Sequence, residues 1–197
     1  MSGSISEVNS GNTPASQNNI DGLVCWITGL SGAGKSTLAN ELVSRMKTQG
    51  QQVVLLDGDE LRSVFDAVAN NEDNHSRRGR LELALQYGRL CQLLSRQGIM
   101  VVIATISLFR EVHEWNRKNL ANYFEVFLDV PVEELRKRDP KGIYRQFEAG
   151  LLRNVAGLDL DVDKPTDSDW AVEFNAHRNV NELSDELVKK LILRGKI

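Results

Sequence analysis

Cysteine, basic stretches and long apolar runs are all scarce in this chain, and each scarcity removes a class of explanation. Two cysteines in 197 residues cannot build a disulfide framework. Cys25 and Cys91 fall in apolar segments without metal-ligand spacing, so both are expected as buried, reduced thiols of a cytoplasmic protein. Lys and Arg total 24 against 27 Asp and Glu, for a net charge of −3. No basic stretch is long enough for a nucleic-acid surface, so nucleic-acid partners are not expected. No segment reaches the roughly eighteen consecutive apolar residues of a membrane span, so no membrane partner is expected either. Met1 to Ile20, rich in Ser, Asn, Gly and Gln, has no basic start and no apolar targeting core. Residues 1–20 are expected as a disordered polar tail, and 21–197 as one enzyme-sized domain.

Against those absences stands Gly29-Leu30-Ser31-Gly32-Ala33-Gly34-Lys35-Ser36-Thr37, which satisfies G-x-x-x-x-G-K-[ST]. A short apolar run, Leu23 to Thr28, precedes it as a strand, and a helix opens from Thr37. Backbone N–H groups of Gly29, Ser31, Gly32, Ala33, Gly34, Lys35, Ser36 and Thr37 can wrap a phosphate, with a helix N-terminus behind them. Lys35 reaches the β and γ phosphates and Ser36 can hold Mg²⁺. The motif implies a site for a nucleoside triphosphate.

Strand and helix patterns alternate beyond the loop. Gln52 to Asp57, Ile99 to Ile106, Tyr123 to Val130 and Trp170 to Phe174 read as further strands. Arg77 to Gln97 reads as a long, mostly buried helix ended by Gly98, and the segment from Asn179 to Leu193 as an amphipathic closing helix. Near-continuous apolar strands separated by helices predict an α/β fold, a parallel sheet covered on both faces. Ligands of such sheets sit beyond the carboxyl ends of the strands. The second strand delivers Asp57-Gly58-Asp59-Glu60-Leu61-Arg62, carboxylates that can polarise a hydroxyl and an arginine one turn on that can grip an anion. The third delivers Ser107, and the fourth leads through the helix Val132 to Arg138 into Asp139-Pro140-Lys141-Gly142, where small-molecule kinases place a mobile lid that excludes water.

From about Leu23 to Asp163 the chain resembles the adenylylsulfate (APS) kinases. The resemblance rests on GLSGAGKST at Gly29 to Thr37, LDGDELR at Leu56 to Arg62, Ile106-Ser107 after the third strand, EVFLDVPVEELRKRDPKGIY at Glu125 to Tyr144, and the segment from Ala149 to Asp159. It implies a P-loop NTP hydrolase-like three-layer sandwich on a five-stranded parallel sheet. It also implies ATP with Mg²⁺, phosphorylation of the 3′-hydroxyl of a small nucleotide acceptor, and a homodimer. By the same resemblance Lys35, Asp59 and Ser107 are catalytic, Ser36 and Asp57 surround the metal, and Arg138 joins the phosphate loop on ATP. Asp59, Arg62, His75, Arg80, Ile106, Ser107, Lys141 and Val155 then line the acceptor site.

Departures from the family pattern concentrate on the acceptor base. In place of Phe-Ser-x-x-Asp-Arg-x-x-Asn the chain has His75-Ser76-Arg77-Arg78-Gly79-Arg80-Leu81-Glu82-Leu83, and the second clamping aromatic is Val155. The anion-gripping arginines remain and the adenine clamp does not, although stacking is worth roughly 1 to 3 kcal/mol per aromatic contact. Adenylyl sulfate stays open as acceptor beside cytidine diphosphoramidate, the substrate of a capsule-biosynthesis branch of the family, whose smaller base needs less stacking surface. A regulatory GTPase would need N-K-x-D, which is missing, and an inactive ATP-binding module would not need Arg62, Arg80, Lys141 and Asp59 together. Asp159 to Asp169 is expected as a solvated loop, because the spacing of an EF-hand fails. His113 and His177 are expected at the surface.

Overall fold

The computed structural model describes residues 21–66 and 76–197, so the expected tail 1–20 and His75 lie outside the described residues. Along the chain the elements are β1 (Val24–Gly29), α1 (Lys35–Thr48), β2 (Val53–Asp57), α2 (Gly58–Asp66), α3 (Arg77–Ser95), β3 (Met100–Thr105), α4 (Arg110–Asn119), β4 (Tyr123–Asp129), α5 (Val132–Arg138), α6 (Ile143–Glu148), β5 (Trp170–Glu173) and α7 (Val180–Leu193). The five strands form one sheet in the order β2-β3-β1-β4-β5, every neighbouring pair parallel. β1 is therefore central, buried at all six positions, and its carboxyl end carries the phosphate loop to the middle of the sheet edge.

Alternation along β1 divides the core into two layers. Cys25 and Ile27 pack with Leu38, Leu42 and Met46 of α1 and with Leu187 and Leu191 of α7. Val24 and Trp26 face the opposite way, against Ala84, Tyr87 and Cys91 of α3 and Val112 of α4. The result is the expected three-layer sandwich. Full burial of a side chain such as Ile27 or Leu38 contributes about 1.5–3 kcal/mol, which fixes the strand that presents the loop. Both cysteines are free and buried. Burial, with some help from Asp169, pushes the Cys25 thiol up to about 12, and burial raises Cys91 as well, so neither serves as a nucleophile.

Two helices are additions to the sequence pattern. α4 has only Val112 and Asn116 buried, too few apolar positions to advertise a helix, and α6 is a single short helix inside the expected lid. α3 starts behind Ser76, whose hydroxyl accepts from Gly79 N at 3.0 Å, and α7 carries a capping box between Asn179 and Glu182. No helix among the described residues is long and apolar enough to cross a membrane.

Candidate active site

The phosphate loop is built to receive an anion. Gly34 ends it at φ 97°, a left-handed conformation that glycine adopts without a side-chain penalty, and no side chain caps the helix that follows. No acidic residue occupies the first turn of α1 either, so its N–H groups are left for a ligand. Lys35 is buried and its ammonium donates to the Leu30 carbonyl at 2.8 Å. Burial first, then repulsion from Lys141, pulls its pKa from 10.5 down to about 8, despite the opposing pull of Asp59 and Asp57. Ser36 Oγ donates to Asp57 Oδ2 at 2.6 Å, which brings two hard oxygen ligands together beside the loop. Ser31, Gly32, Gly34, Lys35, Ser36 and Thr37 line a cleft of about 730 Å³. Gly29 closes β1 against Leu128, and Ala33 faces a second cavity of about 250 Å³ on the other side of the loop. Arg138 lies in that second cavity and covers the Phe174 ring at 4.9 Å, with its Nε held by Glu134.

Residues beyond the other strand ends converge on the large cleft, as the parallel topology requires. Asp57, Asp59 and Arg62 enter from β2 and α2, Arg80 from α3, Ile106 and Ser107 from β3, Lys141 from the α5–α6 connection, and Val155 from the segment after α6. Lys141 makes an ion pair with Asp59. Burial raises the Asp59 pKa, and the hydrogen bond and charge of Lys141 outweigh it, leaving this carboxyl below its ordinary range. The Arg62 Nε is buried without a hydrogen-bond partner, an unmet donor beside the cleft. Burial and repulsion from Arg62 lower the Arg80 pKa, so these two cations stand close enough to repel each other. Ser107 holds φ 26°, strained for a residue with a side chain, and its hydroxyl pairs with Thr105 at 2.8 Å.

Several site features escaped the sequence pattern. Tyr144 Oη donates to the Ser31 carbonyl at 3.0 Å, and Asp139 accepts from Tyr144 N and Arg145 N, both at 3.1 Å. The segment expected as a lid is thereby tied to the phosphate loop. Gly157, at φ 80°, presses on the loop from the far side, where a Cβ would meet Leu30 Cδ1 at 2.9 Å. Thr105, Arg153, Asn154 and Asp161 also line the cleft.

Two expectations are corrected. His113 is not a surface residue, since it bridges the buried Glu125 at 2.6 Å and the Asp163 carbonyl at 3.2 Å. The acidic segment is only partly solvated. Asp159 accepts from Asn154 N and Val155 N, Asp163 from Arg77 and Arg110 N, and Asp169 from Arg117, Arg194 and Glu125 N. Carboxylates in a run look solvated from sequence, yet three of these five side chains close turns and ion pairs.

A parallel sheet with a phosphate loop at its centre, a lysine-bearing connection over the cleft and two arginines opposite defines a P-loop phosphotransferase. A sequence model of the adenylylsulphate kinase family matches residues 21–173. The cytidine diphosphoramidate kinase of Campylobacter jejuni is 36% identical over 170 residues, covering 86% of this chain and 96% of its own. An adenylyl-sulfate kinase of Aeromonas hydrophila is 37% identical over 174 residues, covering 87% and 86%. The solved Mycobacterium tuberculosis APS kinase in complex with AMPPNP and APS superposes with a TM-score of 0.79 at 31% identity, covering 87% of this chain and 98% of that one. The chain belongs to the adenylylsulphate kinase family.

Proposed function

We propose that this protein transfers the γ-phosphoryl group of ATP to the 3′-hydroxyl of a cytidine nucleotide bearing a 5′ diphosphate-like group, cytidine diphosphoramidate being the member of that class acted on by the Campylobacter relative. The observation that carries the reading is Arg62 and Arg80 in one cleft with an aliphatic side chain, Val155, at the position of the family's second aromatic clamp. Leu83, Val155, Leu160 and Val162 line the cleft together with Tyr87 and Phe109, and the clamp position of Val155 is what the family resemblance implies. Two arginines suit an anionic 5′ group, and a site with valine in place of a clamping aromatic suits a pyrimidine, which needs less stacking surface, better than a purine.

The chemistry follows from the residues in place. ATP phosphates lie on the loop with Lys35 against the β and γ oxygens, and the adenine enters the second cavity beside Arg138 and Phe174. The acceptor 3′ oxygen bonds to the γ phosphorus as the bond to the β–γ bridging oxygen breaks. ADP leaves, and the hydroxyl proton passes to Asp59. Arg62 and Arg80 hold the 5′ group, and Lys141 closes over the transferring phosphoryl. Ser36 and Asp57 fit Mg²⁺, which takes few protein oxygens and completes its shell with water and phosphate, and which would neutralise developing phosphate charge there. Ser107 and Thr105 keep the end of β3 shaped to the acceptor.

The test is kcat/KM for cytidine diphosphoramidate against adenylyl sulfate at saturating ATP. Preference for the cytidine compound is expected, and efficient turnover of adenylyl sulfate with none of the cytidine compound returns the protein to sulfate activation. Truncating Arg62 or Arg80 to alanine is expected to raise the acceptor KM about ten- to a hundredfold, the equivalent of roughly 1.5–3 kcal/mol for a hydrogen bond to a charged group. ATP parameters should hardly change, and an equal loss for ATP moves these arginines to the donor side.

A further inference from the structure

We propose that Asp161 selects the acceptor base by accepting a hydrogen bond from the exocyclic amine of a 4-aminopyrimidine, an inference that rests on the cytidine-nucleotide reading above. Asp161 lines the cleft between Leu160 and Val162, on the wall that Val155 and Leu83 share. Both sides of it are pinned. Upstream, the Asp159 carboxylate accepts from Asn154 N at 2.8 Å and Val155 N at 2.6 Å, and Ala156 bridges Leu160. Downstream, Asp163 N donates to the Leu108 carbonyl at 2.9 Å while its carboxylate takes Arg77 and the Arg110 N–H. The backbone that presents Asp161 is thus fixed to the cleft wall on either side.

Its exposed carboxylate is the one in the cleft without a protein donor among the described residues. Asp57 takes Ser36 and the Asp59 N–H, Asp59 takes Lys141, and Asp161 meets no hydrogen-bond donor or cation among the described residues. An ionised carboxylate is purely an acceptor, so the group opposite it must carry a hydrogen. It cannot serve the 5′ end, whose negative charge it would repel, and the reacting hydroxyl belongs to Asp59. Asp161 is exposed and so solvated, and of the donors an acceptor could bring in place of water the ribose 2′-hydroxyl is common to all ribonucleotides whereas only the base tells one from another. Cytosine offers an amine at C4, whereas uracil offers a carbonyl oxygen that a carboxylate repels. Beside the apolar Val155, Leu160 and Val162, one carboxylate sets which base is accepted and in which orientation. Adenine also carries an amine, so Asp161 separates amino from oxo bases, and valine in place of a clamping aromatic at 155 separates pyrimidine from purine.

The experiment compares kcat/KM for cytidine and uridine 5′-diphosphoramidates with the full chain at saturating ATP, in wild type, Asp161→Asn and Asp161→Glu. Wild type is expected to favour cytidine by at least about tenfold. Asp161→Asn, whose amide can turn either an acceptor or a donor to the base, is expected to bring the ratio near one, chiefly through the cytidine KM, with the ATP KM unchanged. Asp161→Glu should keep much of the preference. A cytidine-to-uridine ratio that is the same in wild type and Asp161→Asn overturns the role of Asp161 while leaving the cytidine acceptor intact. A wild type that phosphorylates neither compound overturns the acceptor reading, and this inference with it.

Discussion

Replacing Lys35 with alanine is expected to lower turnover by about 10²- to 10³-fold or more while leaving the melting temperature within a few degrees of wild type. The rate loss follows from removing a fixed cation aimed at charge that develops on the β and γ oxygens. Stability changes little because two effects offset. A pKa held at about 8 against 10.5 means that burying the ammonium opposes folding by roughly 3 kcal/mol below pH 8, an opposition relieved as pH rises from about 8 toward 10.5. Alanine removes that opposition and gives up three partly buried methylenes, about 0.8 kcal/mol each. The Leu30 carbonyl still accepts from Ala33 N, so no acceptor is orphaned. ATP phosphates restore the full charge of Lys35, so wild-type binding takes up a proton near pH 8 and weakens as pH rises beyond it. Calorimetry in buffers of different ionisation enthalpy reads the proton directly. Turnover within tenfold of wild type would sink the role of Lys35, and a flat ATP affinity from pH 7 to 9.5 would sink the depressed ammonium.

How much of this was legible in sequence depends on whether the signal is local. The phosphate loop is local, as residue types at fixed spacing between a strand and a helix, and the sheet followed from apolar runs. Arg62 follows Asp59 by one turn and was readable for the same reason. Tyr144 on Ser31 and His113 between Glu125 and Asp163 are juxtapositions across the fold, and no spacing announces them. α4 was missed because its inward face includes Asn116, a polar residue that sits fully buried against Tyr123. β2 reads as one more apolar strand of a covered sheet, yet as the sheet edge it is half-buried throughout. The acidic segment was misjudged for a related reason. A carboxylate in a run looks solvated until the chain brings Arg77, Arg117 and Arg194 to it, and only then does Asp161 stand out as the one in the cleft without a partner among the described residues.

Asp59→Asn is expected to lower kcat by about 10²-fold or more, with ATP affinity changed by less than about threefold, because a base aimed at the acceptor hydroxyl matters chiefly in the transition state. Its pairing with Lys141 makes a sharper test. Lys141 holds the Asp59 carboxyl below its ordinary range, so the carboxylate is ionised but a weak base for as long as the ion pair lasts. When Lys141 turns to the transferring phosphoryl, the carboxylate is released and its basicity rises. The same lysine also depresses Lys35 by repulsion. Removing one cation therefore moves two titrations in one direction. In Lys141→Ala, Asp59 protonates at higher pH, so the acid limb of kcat/KM shifts up, and Lys35 keeps its proton to higher pH, so the alkaline limb shifts up as well. Proton count fixes the sign in both cases, since losing a neighbouring positive charge always favours the protonated form. Rate profiles for the wild type and Lys141→Ala from about pH 3 to 10, with folding checked at each pH, measure both limbs together. Limbs that stay put, beside an Asp59→Asn variant of normal kcat, would remove Asp59 from the proton's path and leave it as a tether for Lys141.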